Sequence, residues 1–70
     1  MRAKELIGKE VIDAKAKRVG KVSDLEINIT KGIVEHVDVK AGFTKSYVIN
    51  LEMIQVVGDK VILKVNEEEL

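Results

Sequence analysis

The sequence has no cysteine, proline or tryptophan, and aromatic side chains make up only 3% of its 70 residues. Without cysteine, neither a disulfide nor a thiolate-bound metal can stabilise the fold. Twelve basic and twelve acidic side chains cancel, which argues against capture of nucleic acid by overall charge. No apolar run approaches the roughly 20 residues that cross a bilayer, so we expect no membrane insertion. Residues 1–6 form no apolar signal segment, and we expect a cytoplasmic protein.

Valine and isoleucine, 11 and 8 residues respectively, dominate the apolar side chains. Branching at Cβ suits a pleated strand better than a helix, so the composition predicts an all-β protein. A chain of this length forms one domain, which we take as residues 1–70. We expect residues 1–5 to be an extended lead-in and the acidic tail, 66–70, to be frayed.

Alternation of apolar and polar residues predicts two hairpins. Residues 25–29 carry apolar side chains at odd positions, which predicts that Leu25, Ile27 and Ile29 share the buried face. A connection ending in Gly32 joins them to a second alternating strand, 33–40. The other hairpin pairs 54–57 with 60–65 around Gly58-Asp59, where glycine is expected to supply a positive φ.

A change of phase predicts that the sheet bends. Val22 is even-numbered, whereas the apolar residues that follow are odd, so one regular strand cannot bury them all. A β-bulge at Ser23-Asp24 restores the phase and increases curvature. Together with short strands at 10–13 and 46–49 and a helical turn capped by Asn50, this predicts a small, strongly bent antiparallel barrel of five or six strands.

Three stretches resemble the PRC-barrel domain family. Residues 6–13, LIGKEVID, and 19–27, VGKVSDLEI, are similar to its opening strands, and residues 53–63, MIQVVGDKVIL, to its closing hairpin. Ala16 departs from the pattern, since many members carry a turn glycine there. The resemblance covers Leu6 to about Val65 and implies a barrel of five or six strands.

The resemblance also implies a role. PRC-barrels occur in the photosynthetic reaction centre H subunit, in the C-terminal half of the ribosome maturation factor RimM, and in small stand-alone archaeal proteins linked to cell division. These relatives imply a non-enzymatic adaptor for protein–protein contact, without a cofactor, in archaeal cell division or in assembly of a larger complex. The alternative is a ribosome- or RNA-associated module. Fold alone does not decide between them.

Catalysis and metal binding both depend on His36, the only imidazole. It lies within an alternating strand, opposite in phase to Val37 and Val39, and we interpret it as an exposed surface residue rather than a catalytic one. His36 and Asp38 are two residues apart and would face one ion together. Two ligands are too few for structural zinc, and a cross-strand acid such as Glu26 would have to join them, so we predict no metal site.

Two other surfaces are candidates for binding. The basic turn with Lys15, Lys17 and Arg18 would suit phosphate or RNA, but no aromatic residue lies beside it for base stacking, and we do not expect nucleic acid as the partner. Apolar residues out of phase with their strands, and the two aromatics, favour a protein partner or self-association as a homodimer. These candidates are Val34, Phe43, Tyr47, Val48 and Ile62.

Overall fold

The computed structural model describes all 70 residues, most of which belong to β-strands or the turns between them. In chain order the strands are β1 (Glu10–Ile12), β2 (Arg18–Asn28), β3 (Ile33–Ala41), β4 (Lys45–Asn50), β5 (Ile54–Val57) and β6 (Val61–Leu63). Helical structure is limited to α1 (Ala3–Leu6) and two 3-10 turns, Leu51–Met53 and Glu67–Glu69. The prediction of an all-β chain with five or six strands is confirmed.

The six strands form one curled sheet in the order β4-β3-β2-β1-β6-β5. All neighbours are antiparallel except β1 and β6, which run parallel with Val11 opposite Val61. The prediction of a wholly antiparallel barrel is therefore wrong at this pair. No local turn joins β1 to β6, so no sequence signal sets their relative direction. Because β4 and β5 end the sheet without pairing with each other, the barrel is a half-barrel with two edges.

Bulges give the sheet its bend. Val22 pairs with Val39 and Asp24 pairs with Asp38, which leaves Ser23 as the additional residue predicted from the phase change. A second bulge was not predicted. Glu26 pairs with His36 and Ile27 with Val34, so Glu35 is the additional residue on β3. Each bulge exchanges the faces of the residues that follow it, because side chains alternate along a strand.

Both predicted hairpins form, with different turns. Gly32 adopts a φ of 67°, as expected for the turn between β2 and β3. Gly58 is not in the left-handed region, and the turn between β5 and β6 spans three residues, 58–60, closed by a hydrogen bond from Gly58 N–H to Lys60 C=O. The positive φ expected at Gly58 is therefore wrong. Ala16 does adopt a φ of 64°, the conformation that glycine enters most easily.

The core is small and almost wholly β-branched. Half-buried residues from the ends of the chain, Leu6 of α1 and Leu70, pack against it together with Met53. The buried hydrophobic residues are Val11, Val19, Val22, Val37, Val39, Ile49, Val61 and Leu63. Every strand except β5 contributes to this set, so the two sides of the curled sheet share one core.

Both termini differ from the sequence prediction. Residues 3–6 form one helical turn rather than an extended lead-in, and Leu6 packs on the core. The tail, expected to be frayed for want of apolar contacts, adopts a defined 3-10 turn at Glu67–Glu69. Its attachment is mainly polar, because the Glu67 N–H donates to Asp13, and Leu70 adds a contact with the core.

Candidate functional site

Strand β4 is paired along one side only. It lies at the end of the sheet, and all its residues from Lys45 to Asn50 pair with β3 without a break in register. The other end of the sheet, β5, has four residues and a register shift between Ile54 and Val56. A regular edge strand presents a row of free N–H and C=O groups, whereas a short, bulged edge is poorly suited to pairing. β4 is therefore the edge that can accept another strand.

Three of the predicted contact residues lie at this edge. Phe43, in the turn before β4, is fully exposed, and Val48 on the outer face is 61% exposed. Tyr47 faces inward and packs against the core, with the Lys45 ammonium 5.7 Å from its ring centre. Phe43 and Val48 are thus free to contact a partner, while Tyr47 mainly supports the strand.

The other two predicted contact residues lie elsewhere. Val34 is half-buried, and because of the bulge at Glu35 it turns towards Ile27 and Leu25 in a cleft beneath α1. Ile62 is half-buried on β6, where it pairs with Ile12 and Val56. The five residues therefore do not form one continuous patch.

An exposed apolar group at the end of the β2–β3 hairpin was not predicted. Ile27, Ile29 and Ile33 are 60%, 88% and 50% exposed, although alternation assigned the first two to the buried face. Only Leu25 of the predicted set packs against the core. Ile29 lies beyond the end of β2, in the turn, where the alternation of a strand no longer applies. For Ile27, alternation specifies which face the residue occupies but not how fully that face is covered.

The three residues predicted for phosphate contact all lie in ion pairs. Lys15 Nζ is 3.8 Å from Glu68, Lys17 Nζ is 3.2 Å from Glu67, and Arg18 Nε is 3.2 Å from Glu10. The hydrogen bond and the charge of Glu67 raise the pKa of Lys17. The basic turn therefore faces acidic partners from this same chain.

Asp13 organises that turn. The residue is 1% exposed, and its Oδ1 accepts hydrogen bonds from the N–H groups of Lys15 and Lys17 at 2.9 and 2.8 Å. Its Oδ2 accepts from the Glu67 N–H at 2.9 Å. Burial raises the pKa of Asp13, but the three backbone donors outweigh it and hold this pKa below its ordinary value. The side chain ties the first turn to the C-terminal tail.

His36 lies on the opposite, outer face of the sheet. Its side chain is 30% exposed, so it is half-buried rather than fully exposed, and its Nε2 is 4.0 Å from Asp38 Oδ1. Glu26 lies directly across from it on β2. Ligand atoms of these three residues all lie within 4.8 Å of one another. The cross-strand acid that a metal site would require is therefore in place.

The fold and this surface define a small, curled all-β domain with one regular edge strand, β4, and few enclosed polar groups. Comparison with known families agrees with that class: the PRC-barrel domain model matches residues 1–70, and the chain belongs to the PRC-barrel family. None of the curated proteins matches the chain significantly. No helix of the structure has the length and apolar character needed to span a membrane.

Proposed function

We propose that this chain is a non-enzymatic adaptor that acts in the cytoplasm and binds another protein by accepting one of its segments as an additional strand beside β4. The observation that carries the proposal is the free side of β4, six residues long and without a bulge. Membership of the PRC-barrel family supports a small interaction module. Strand addition gives affinity through main-chain hydrogen bonds and specificity through alternate side chains.

The residues around the edge favour a partner segment of particular chemistry. An added strand would lie beside Val48 on the outer face, and Phe43 would extend over its end as an aromatic contact. Lys45 is the only charged residue of β4. We therefore propose an extended segment with apolar residues at alternate positions and an acidic residue opposite Lys45.

A paired-variant capture experiment tests this function. Wild-type protein and Val48→Lys are used as bait in native cell extract, and the captured proteins are identified by mass spectrometry. The matched control is Val56→Lys, which places the same charge on a similarly exposed valine of the β5 edge. We expect Val48→Lys to weaken capture of a specific protein at least about tenfold, because an ammonium group would be desolvated in the contact. The control should retain capture.

Further measurements identify the occupant. Amide NMR shifts on titration with a segment of the captured protein should concentrate at residues 45–50. Equal effects of Val48→Lys and Val56→Lys, or shifts confined to the isoleucines of the β2–β3 hairpin, would contradict binding at β4. Sedimentation that shows a wild-type dimer, lost in Val48→Lys, would make a second copy of the chain the occupant.

The ribosome-associated alternative is tested in the same capture. Ribosomal proteins that disappear after nuclease treatment would favour that role, whereas a partner retained after nuclease favours a direct protein adaptor. Because Lys15, Lys17 and Arg18 each pair with a glutamate of this chain, we expect nuclease to leave the main partner bound.

A further inference from the structure

We propose that Glu26, His36 and Asp38 form a binding site for a divalent transition-metal ion, with Zn²⁺ as the representative ion. One imidazole and two carboxylates meet on the outer face of the β2–β3 hairpin. The proposal revises the sequence prediction of no metal site, which rested on having only two ligands in reach. It goes beyond the adaptor function and does not depend on it.

The backbone fixes the three residues in place. His36 and Asp38 are alternate residues of β3 and therefore project on the same side of the sheet. Glu26 is the direct cross-strand partner of His36, which brings the third side chain to the same side. Two paired strands position ligands more accurately than a mobile loop does.

The distances require only small adjustments. His36 Nε2 and Asp38 Oδ1 are 4.0 Å apart, and all three ligand atoms lie within 4.8 Å of one another. Ligands of a tetrahedral zinc ion lie about 3.3 Å apart, given metal–ligand bonds of ~2.0 Å. All three side chains reach solvent, so rotation about their side-chain bonds can close this difference. Water would complete the coordination on the open side.

The charge around the cluster favours binding of a cation. Asp24 lies directly opposite Asp38 on β2, an arrangement of like charges that destabilises a strand pair. No lysine or arginine nitrogen lies within 4.0 Å of Asp24, Glu26 or Asp38, although the basic turn elsewhere is fully ion-paired. A bound dication would offset the repulsion that the protein itself leaves uncompensated.

The donor set indicates which ions fit. Imidazole nitrogen suits Zn²⁺, Ni²⁺ and Cu²⁺, whereas Mg²⁺ and Ca²⁺ prefer sites made wholly of oxygen ligands. Val48, opposite Asp38 on β4, borders the site with an apolar side chain. We therefore expect binding of borderline transition metals and little competition from Mg²⁺.

Titration of the tag-free chain with ZnCl₂ tests the site. Because His36 is the only histidine, its imidazole NMR signals report directly on the ligand in the intact wild-type protein. We expect one zinc per chain with micromolar affinity by calorimetry, together with shifts of those signals that saturate at one equivalent. The thermal midpoint should rise by about 5 °C or more in excess zinc, because a ligand that binds only the folded state stabilises it.

Variants distinguish specific zinc coordination from nonspecific binding of zinc to surface carboxylates. His36→Gln should weaken zinc binding at least about tenfold, and Glu26→Gln and Asp38→Asn should each weaken it at least about threefold. Asp59→Asn is the matched control, because it removes one negative charge from the exposed turn 58–60. Unchanged His36 signals at one equivalent of zinc would overturn the proposal. So would an affinity that His36→Gln leaves intact, or one that millimolar Mg²⁺ abolishes.

Discussion

Three stretches of this chain have the sequence pattern valine, any residue, aspartate, and the two that involve β1 and β2 place the aspartate in opposite environments. In Val11-Ile12-Asp13 the carboxylate is buried beside the core and accepts three backbone hydrogen bonds. In Val22-Ser23-Asp24 the bulge at Ser23 turns the aspartate to the outer face, where it lies opposite Asp38. The same local sequence therefore serves as a structural tie in one place and as part of an open acidic surface in the other.

The two carboxylates differ in the hydrogen-bond donors and charges that surround them. Asp13 accepts bonds from N–H groups of its own turn and from that of Glu67, 54 residues further along the chain, so its removal leaves these partly buried N–H groups without their acceptor. Asp24 accepts one bond, from the N–H of its neighbour Leu25, and otherwise faces negative charge. Loss of the first should destabilise the fold, whereas loss of the second should not. Three predictions follow this contrast in order of decreasing effect.

The largest effect should come from Asp13→Ala. The substitution leaves the N–H groups of Lys15, Lys17 and Glu67 without an acceptor and releases the C-terminal turn. We expect the thermal midpoint to fall by about 10 °C or more, as measured by circular dichroism. Asp13→Asn keeps one acceptor oxygen, so its thermal midpoint should fall by less. An unchanged midpoint for Asp13→Ala would show that the hydrogen bonds to Asp13 contribute nothing to stability. The contrast with Asp24 would then be lost.

A smaller effect should appear in the pH dependence of stability. The pKa of Asp13 is lowered in the folded chain, and the pKa of Glu10 is lowered by its hydrogen bond and ion pair with Lys60. The unfolded state therefore takes up protons first as the pH falls, so their stabilisation is complete above about pH 5 and is lost towards pH 2.

Urea unfolding at a series of pH values measures this loss. The midpoint of Asp13→Asn should change less between about pH 5 and pH 2 than that of the wild type, because one of the two carboxyl groups no longer titrates. Asp59→Asn, in an exposed turn, serves as the control and should follow the wild-type curve. Identical curves for all three proteins would contradict the role assigned to the Asp13 hydrogen bonds.

The two regions also differ in how much of their structure the sequence predicts. The bulge at Ser23 was predictable because Val22 and Leu25 must both reach the core, and the turn at Gly32 because it separates two alternating runs. The tie between Asp13 and Glu67 was not predictable, since a single polar contact across 54 residues leaves no periodic signal. Local sequence patterns predict local geometry, whereas polar contacts between distant segments can be identified only once the fold is known.

The candidate sites follow the same rule. Val48 is a candidate because it is out of phase with its strand and Phe43 because it is one of only two aromatics, and both are exposed. Alternation predicts that Ile27 and Ile29 are buried, yet Ile27 is only partly covered and Ile29 lies in the turn beyond the end of β2. The grouping of Glu26 with His36 depends on cross-strand register, which the second bulge at Glu35 helps to set. This register depends on how the two strands pair, so the pattern of either strand alone does not predict it.

The smallest effect, and the one with the opposite sign, should come from Asp24→Asn. Asparagine keeps the acceptor oxygen for the Leu25 N–H and removes the charge that faces Asp38. In metal-free buffer of low ionic strength we expect the free energy of unfolding to rise by about 0.5 kcal/mol, as measured by urea titration. The gain should shrink in about 1 M NaCl, where exposed charges are screened over ~3 Å. It should also shrink in excess zinc, because a bound dication at Asp38 already offsets the repulsion. Destabilisation in low salt would mean that Asp24, like Asp13, is a structural carboxylate, and that the bulge at Ser23 does not separate the two roles.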